Sequence, residues 1–402
     1  MVRIYSGKIK DNVVLLQLQD DETRYFESLW EIPEGVTYNA YLILEQDTTI
    51  LVDGWKHIYG EMFLEEIRKF VDLKDIEYII VHHMEPDHSG SLKQLIPNLS
   101  SKAKVVGHPL VRDLIKSFYG FDVNFYPAAS ETEMKVGNST IKFYHVSWLH
   151  WPETIASLYN NEVLFTCDAF GSFGIPSSIF FDDMPREEQE RFLWYAQKYF
   201  ADIIGHYIDW AAKALQKLGE VIERTKIVAP AHGPLWRNPQ KIVELYKAWS
   251  SRKSVKGKLV IVYTSMYGFI KEMVSTIAGE ASKFFNTIKT YKFIDVHRDL
   301  VSDVLGDLLD AEAVILATAT YDADVFPYAK YLIELLIAKT PKNKKILVAS
   351  NYGWGAVAGK KIASILQSAG FKVVDVIEFR SGRLLDNVER LREGVEKLAR
   401  EP

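Results

Sequence analysis

Between the apolar run EYIIV and the segment SLKQLIP lies HHMEPDHSG, residues 82–90, with three imidazoles and two carboxylates in its first seven positions. An ordinary turn has no use for so many titratable groups, whereas a metal site does. His83, Glu85 and Asp87 recur at every second position, so in a roughly extended loop their side chains share a side, and His88 adds a donor beside Asp87. Four donors within six residues crowd one ion but can be divided between two adjacent ions. Three later segments supply further donors. SWLHWP places His150 just after the strand-like IKFYHV, EVLFTCDAFG ends a strand-like run in Asp168, and KIVAPAHGP ends another in His232. Taken singly, these read as a packed core histidine, a turn or cap aspartate and a loop histidine. Their joint arrival at strand ends favours ligands. His83, His88, His150, His232, Glu85, Asp87 and Asp168 make seven ligands with no thiolate, a set that suits Fe, Mn or Zn and argues against Cu(I). Ligand type alone does not separate iron from zinc. Three carboxylates offset much of the charge of two divalent ions, and Asp168, alone at the end of its strand, is the expected bridge.

The elements that must position these groups follow from periodicity. From Val13 to about Trp249, β-rich runs (VVLLQL, YNAYLIL, TTILVD, IKFYHV, EVLFTCD, KIVAPAH) mix with amphipathic helical patterns such as GEMFLEEIRKFVD and QERFLWYAQKYFADIIGHYIDWAAKALQKL. This is one α/β unit over 1–250. The polar, basic SSRKSVKGK then breaks the pattern, and 251–257 reads as a linker. Over 258–402, five strands alternate with five helices, near 271–285, 299–309, 328–338, 358–369 and 385–400, which predicts a doubly wound parallel sheet. In the order 2-1-3-4-5 its ligand crevice lies at the carboxyl ends of strands one, three and four, which read TSMYGFIKE, TATYDADVFP and SNYGWGAVAG. The first loop runs into a helix N-terminus and suits one phosphate, as in FMN; without a three-glycine dinucleotide fingerprint, NAD is disfavoured. Tyr321 and Trp354 are candidates to flank a flat ring.

Composition bounds the remaining possibilities. Of 402 residues 48% are hydrophobic and 25% charged, enough apolar material for a core in each of two domains. The balance of 48 Lys+Arg against 53 Asp+Glu, with the signs interspersed, argues against a nucleic-acid partner. The single cysteine, Cys167, excludes an internal disulfide and any Cys-rich metal site, and suits a reducing cytoplasm. Strand alternation points its thiol away from the metal. Neither a signal pattern nor a run of roughly 18–20 apolar residues is present, so the expected chain is cytoplasmic, with no membrane association.

At the metal motif the sequence resembles the metallo-β-lactamase superfamily, whose signature H-x-H-x-D-H is followed by a later His, Asp and His. Here Glu85 stands for the second histidine, and H-x-E-x-D-H is the pattern of the flavodiiron proteins. The resemblance continues through TYNAYLI, LHWP, CDAFG and PAHGP and into the second domain. It implies a metallo-β-lactamase-like αβ/βα sandwich followed by a flavodoxin-like sheet, with FMN and two non-haem irons that share an oxo or hydroxo bridge. His83, Glu85 and His150 would hold the iron nearer the flavin, Asp87, His88 and His232 the other, with Asp168 between them. A carboxylate in place of imidazole should lower the potential of its ion. Tyr199 matches a tyrosine that relatives place near the metal pocket, a catalytic candidate; packing of a long helix is the plainer reading. In the flavodoxin-like part Thr264, Ser265 and Gly268 match the phosphate loop, with Met266 and Tyr267 between them, while Phe269 and Ile270 stand where many relatives carry hydroxyls, which predicts weaker FMN binding. Thr318, Ala319 and Thr320 form the second loop, and Ser350, Asn351, Tyr352, Gly353, Trp354 and Gly355 reach the flavin edge. The implied activity is an oxidoreductase that reduces dioxygen to water or nitric oxide to nitrous oxide. It would take electrons from a rubredoxin or similar donor and act as a head-to-tail homodimer or a dimer of dimers. The alternatives are a dinuclear zinc hydrolase with a fused flavodoxin module, or a non-catalytic electron carrier or gas sensor.

Overall fold

A computed structural model describes residues 2–401. The chain separates into two compact units: the first runs to Phe200 and resumes over Tyr207–Ser250, and the second takes Ala201–His206 and the chain from Ser251.

The first unit starts with strands β1 (Arg3–Lys10) and β2 (Val13–Asp20) and a small ribbon of β3 (Tyr25–Phe26) and β4 (Trp30–Glu31). Then come β5 (Val36–Leu44), β6 (Thr49–Val52), helix α1 (Gly60–Arg68), β7 (Ile76–Val81), helices α2 (Pro86–Ser89) and α3 (Leu92–Leu95), β8 (Lys104–Gly107), α4 (Leu110–Tyr119) and β9 (Phe125–Pro127). Its first sheet runs β1-β2-β5-β6-β7-β8-β9, antiparallel up to β6 and parallel beyond it. A second sheet follows, β10 (Glu133–Val136), β11 (Ser139–His145), β12 (Ile155–Tyr159), β13 (Val163–Cys167) and β14 (Ile227–Pro230), paired in that order. The sheets bury one core between them: Val13, Leu15, Tyr41, Ile43, Ile50 and Ile80 of the first meet Ile141, Phe143, Ile155, Phe165 and Ala229 of the second. β2 and β5 are buried along almost their whole length, which explains why both read as near-continuous apolar runs instead of alternating ones. The long amphipathic run after Gln189 is two helices, α5 (Arg186–Tyr199) and α6 (Ile208–Arg224), separated by a π-helical and a 3₁₀ turn over Phe200–Tyr207, and α7 (Gln240–Ser250) closes the unit.

The second unit begins with β15 (Val255–Ser265), which starts inside the segment read as linker: the Val255 amide donates to the Asp310 carbonyl at 2.8 Å. Helix α8 (Phe269–Ala281), β16 (Thr287–Ile294), the short β17 (His297–Arg298), α9 (Val301–Leu309), β18 (Ala311–Tyr321), the short β19 (Asp324–Val325), α10 (Pro327–Lys339), β20 (Lys345–Tyr352), α11 (Ala358–Ser368), β21 (Lys372–Arg380) and α12 (Val388–Arg400) follow. The main strands pair in parallel as β16-β15-β18-β20-β21, the expected 2-1-3-4-5 order. No helix among the described residues is long and apolar enough to cross a membrane.

At the amino-terminal edge of this sheet Lys344 is fully buried, its ammonium donating to the carbonyls of Leu309 at 3.2 Å and Ala311 at 3.4 Å. Burial pushes this lysine down to about 7, against the attraction of Asp310 and helped by the nearby charge of Lys258. The folded state therefore releases the proton near pH 7, while the unfolded chain keeps it to roughly pH 10. Between those values the unfolded chain binds more protons, so stability rises with pH. The urea midpoint of the second unit should climb by the equivalent of about 1 kcal/mol per pH unit between pH 7 and 9, and Lys344→Met should flatten that climb. An equal slope in both proteins would contradict this.

Candidate metal centre and second-unit cleft

The metal motif begins where β7 ends. His82 to Glu85 continue the chain away from the sheet, and Pro86, at the first position of α2, turns it into one helical turn carrying Asp87 and His88. The extended loop expected for His83, Glu85 and Asp87 thus holds only for the first two. On a helical turn adjacent side chains diverge by roughly 100° instead of 180°, which lets the neighbours Asp87 and His88 face one site. Gly90 follows because a Cβ there would run into the His57 amide and the Pro86 carbonyl.

His150, Asp168 and His232 join them from the ends of their segments, and all seven predicted ligands converge. Asp168 lies at the middle. Its Oδ2 is 3.2 Å from His83 Nε2 and 3.2 Å from His150 Nε2, and His150 is 2.9 Å from Glu85 Oε2. Its Oδ1 is 3.1 Å from His88 Nε2 and 3.4 Å from His232 Nε2, and Asp87 lies 3.4 Å from the first and 3.3 Å from the second. One carboxylate therefore presents a separate oxygen to each of two ligand sets, His83–Glu85–His150 and Asp87–His88–His232. Donors about 2.1 Å from an ion stand about 3.0–3.4 Å apart at octahedral or tetrahedral angles. The observed spacings of 2.9–3.4 Å match. The pocket is also full of polar atoms that no hydrogen bond satisfies: His83 Nε2, both Asp87 oxygens, Asp168 Oδ2 and His232 Nε2 are buried and unpartnered. Cations between the donors would satisfy all of them, so the residues fit a dinuclear metal group.

The electrostatics of the donors agree. Burial pushes the Glu85 carboxyl up to about 7, with the negative charge of Asp87 adding to it. Burial works against a charged His88, yet Asp87 and Asp168 raise it to about 10. Burial drives His83 down to about 3, and its imidazole neighbours His88 and His150 push the same way.

Residues that motif reading did not single out hold the ligands in place. His232 Nδ1 donates to the Thr37 carbonyl at 2.7 Å, which fixes the tautomer that turns Nε2 toward the cluster. The same turn is pinned by Asn39, whose side-chain amide donates to the carbonyls of Pro230 at 2.9 Å and Gly233 at 3.0 Å. Gly233, at φ +75°, leaves no room for a Cβ beside Ser172. Glu153 accepts the Met84 amide at 2.9 Å, and buried His82 spans Asp53 at 2.6 Å and Ser157 at 2.8 Å, outside both ligand sets. The loop after Asp168 is held by Tyr246, which accepts the Phe170 amide at 2.8 Å, and by the Trp236 indole, which donates to the Phe170 carbonyl at 3.0 Å. These groups are far apart in sequence and belong to no chemical motif. The signals available were the strand-end placement of Asp53 and the position of Thr37 and Asn39 within TYNAYLI.

Cys167 corrects an expectation. It is buried, but its φ of +52° breaks strand alternation, and its sulfur lies within 4.8 Å of donor atoms on His83, His88 and Asp168 instead of pointing away. Tyr199 is fully buried, its ring 5.6 Å from that of His232 and its hydroxyl turned to the Asp168 carboxylate. The histidines without a motif lie elsewhere: His57 pairs with Gln94, His108 with His145, His206 with the Ala338 carbonyl and His297 with Asp299.

In the second unit a cleft of about 390 Å³ opens at the carboxyl ends of β15, β18 and β20. Ser265, Met266, Tyr267, Phe269, Ile270, Ala319, Thr320, Tyr321, Asn351, Tyr352, Gly353 and Trp354 line it, joined by Asp322 and Ser381, which the loop reading did not include. Ser381 follows a strand that the crevice rule leaves out, and its hydroxyl accepts the Asn351 side-chain amide at 3.1 Å. Thr264, Gly268, Thr318, Ser350 and Gly355 are not in the lining. Thr264 and Thr318 are buried beneath it and bond each other at 2.6 Å, and the Ser350 hydroxyl donates to Glu378 at 3.3 Å. The Thr320 hydroxyl accepts the amides of Val357 at 3.2 Å and Ala358 at 3.1 Å at the start of α11. Ser265 alone among the loop hydroxyls both lines the cleft and lies beside the α8 N-terminus, where it accepts the Gly268 amide at 3.2 Å and the first turn has no side-chain cap. Free amides there, and the largely apolar walls with exposed Tyr267 and Trp354, fit a phosphate-bearing flat ring.

Comparison with known proteins agrees with this geometry. The family described as ODP family beta lactamase matches residues 36–233, and Flavodoxin matches 261–394. An uncharacterised protein of Methanocaldococcus jannaschii is 31% identical over 374 residues, covering 92% of this chain and 91% of its own. The nitric oxide reductase of Moorella thermoacetica is 29% identical over 370 residues, covering 91% and 90%. Among solved structures, a single-residue variant of the flavo di-iron protein of Thermotoga maritima superposes with a TM-score of 0.93 at 31% identity, over 100% of this chain and 99% of its own. The rubredoxin oxygen:oxidoreductase of Desulfovibrio gigas superposes with a TM-score of 0.91 at 26% identity, over 98% of each. Likeness at this level over the whole length, in both units and in their order, makes the chain a member of the flavodiiron protein family and an oxidoreductase.

Proposed function

We propose that the chain reduces dioxygen to water, nitric oxide to nitrous oxide, or both, at two non-haem irons that receive electrons from FMN. The observation that carries this reading is Asp168, each of whose oxygens faces a different set of donors. His83, Glu85 and His150 would hold one ion, Asp87, His88 and His232 the other, and Asp168 would join them. Two irons and one flavin supply stored electrons and open coordination positions for a diatomic gas. The chain's own residues do the rest. Thr37 keeps His232 in one tautomer, Glu153 and Asp53 fix the loop that carries His83, and the aromatic rings around His232 keep bulk water away from the donors. In the cleft, Tyr321 and Trp354 would flank the flavin ring while Ser265 and the amides of α8 take its phosphate. A rubredoxin or similar small redox protein is the proposed donor, since the relative from Desulfovibrio gigas bears that partner in its name.

The deciding experiment uses one preparation, reduced without oxygen and then given dioxygen or nitric oxide in parallel. Oxygen uptake or nitrous oxide release over many turnovers is expected. A single stoichiometric oxidation with either gas would leave only a carrier or sensor, and two zincs with no redox turnover would favour a hydrolase.

Asp168→Asn removes the charge that both ligand sets share. This variant should lose metal while keeping FMN and its yellow colour, so metal analysis beside the flavin spectrum is the readout. Retention of two irons would refute the bridging role.

A head-to-tail homodimer is proposed for the assembly. Trp354 and Tyr267 at the cleft are 89% and 84% exposed, and Trp148 and Trp210 stand exposed close to the metal centre, so each unit shows aromatic surface that a second copy would cover. Sedimentation should give a dimer or a dimer of dimers; a monomer at micromolar concentration would rule this arrangement out.

A further inference from the structure

A second phenol stands beside Tyr199 at the metal centre. Tyr38, in β5, has no exposed surface, and its hydroxyl makes no hydrogen bond. Its ring meets His232 edge to face at 5.4 Å, where Tyr199 stands at 5.6 Å. Phe26, 5.5 Å from His232, and Phe173, 5.1 Å from Tyr199, complete an aromatic box on this side of the cluster, and are themselves 5.5 Å apart. The ammonium of half-buried Lys56 lies 4.7 Å from the centre of the Tyr38 ring. A cation over the ring draws electron density from it and makes the hydroxyl a stronger donor.

A phenylalanine would fill the same space without a buried hydroxyl to satisfy. In a folded protein such a group has a partner or is waiting for one. Apolar rings with two phenol hydroxyls beside His232 suit a compact ligand with acceptor atoms and little bulk.

We propose that Tyr38 is a second hydrogen-bond donor of the gas-binding pocket, acting with Tyr199 to hold a diatomic molecule or a linear triatomic anion at the Asp87–His88–His232 side of the cluster. This rests on the reading of the cluster as a dinuclear metal centre. The Lys56 charge over the ring biases the pocket toward ligands that carry negative charge when bound.

The test uses the metal-loaded full chain and sodium azide as probe. In Tyr38→Phe the azide dissociation constant should rise about tenfold, as for loss of one hydrogen bond to an anionic acceptor. The infrared stretch of bound azide should move, and its shift in D2O should shrink, with metal and FMN content and the thermal midpoint unchanged. Tyr199→Phe should do the same, and the double variant should exceed either. Azide binding and stretch unchanged in Tyr38→Phe, with two metals in place, would reduce Tyr38 to packing and overturn the proposal. Loss of metal by Tyr38→Phe alone would make it structural and overturn it as well. A wild-type chain that takes up no metal pair would instead refute the dinuclear reading beneath it. A D2O shift of the azide band in the wild-type protein that persists in Tyr199→Phe supports the proposal without relying on the Tyr38 variant.

Discussion

The buried carboxylate of Asp168 sits between four imidazoles, and the rest of the first unit is arranged around that placement. Each oxygen approaches imidazole nitrogens on its own side at 3.1–3.4 Å, with Glu85 and Asp87 bringing further negative charge. Without a cation such a group of lone pairs and charges is costly, because water cannot screen it. With cations between the donors the same spacing is that of a coordination shell. The fold therefore keeps a locally unfavourable arrangement whose electrostatics are resolved only when a ligand of the right charge is bound.

Holding it requires backbone more than side-chain chemistry. Every candidate ligand lies beyond the end of a strand or on the single turn of α2, and the sheets set the spacing from below. Cys167 takes a left-handed backbone conformation where the strand gives way to Asp168, and Gly90 and Gly233 allow chain segments to approach where a Cβ would not fit. Buried polar side chains then tie loop to loop: Asn39 binds two carbonyls of the His232 turn, and Asp53 receives both the backbone amide and the ring of His82. A fully paired network of this kind makes the position of the donors a property of the fold as a whole.

The second unit solves a different problem. A flavin needs a flat slot and a phosphate anchor, and the crevice at the carboxyl ends of parallel strands supplies both. Several hydroxyls that look free in the loops are engaged in the fold. Thr264 and Thr318 bond each other, and Thr320 caps α11, which leaves the α8 N-terminus and Ser265 as the proposed anchor. Carbonyls and amides of the scaffold compete for loop hydroxyls, and a one-dimensional pattern does not record who wins.

The sequence by itself nominated the candidate metal ligands and determined the order of the second sheet. His83, Glu85, Asp87 and His88 are crowded into one short segment, and His150, Asp168 and His232 each close an apolar run, so type and spacing were enough to nominate them. The alternation of strands and helices after Val255 leaves the parallel topology few choices. Tertiary structure decided the rest. Which oxygen of Asp168 serves which set, where the Cys167 sulfur points, how the helical run from Gln189 is interrupted, and that Tyr38 faces His232 all depend on contacts between residues far apart in the chain. Local propensity does not reach across such separations. Packing does, because the two sheets meet face to face and bring the ends of distant strands to one place.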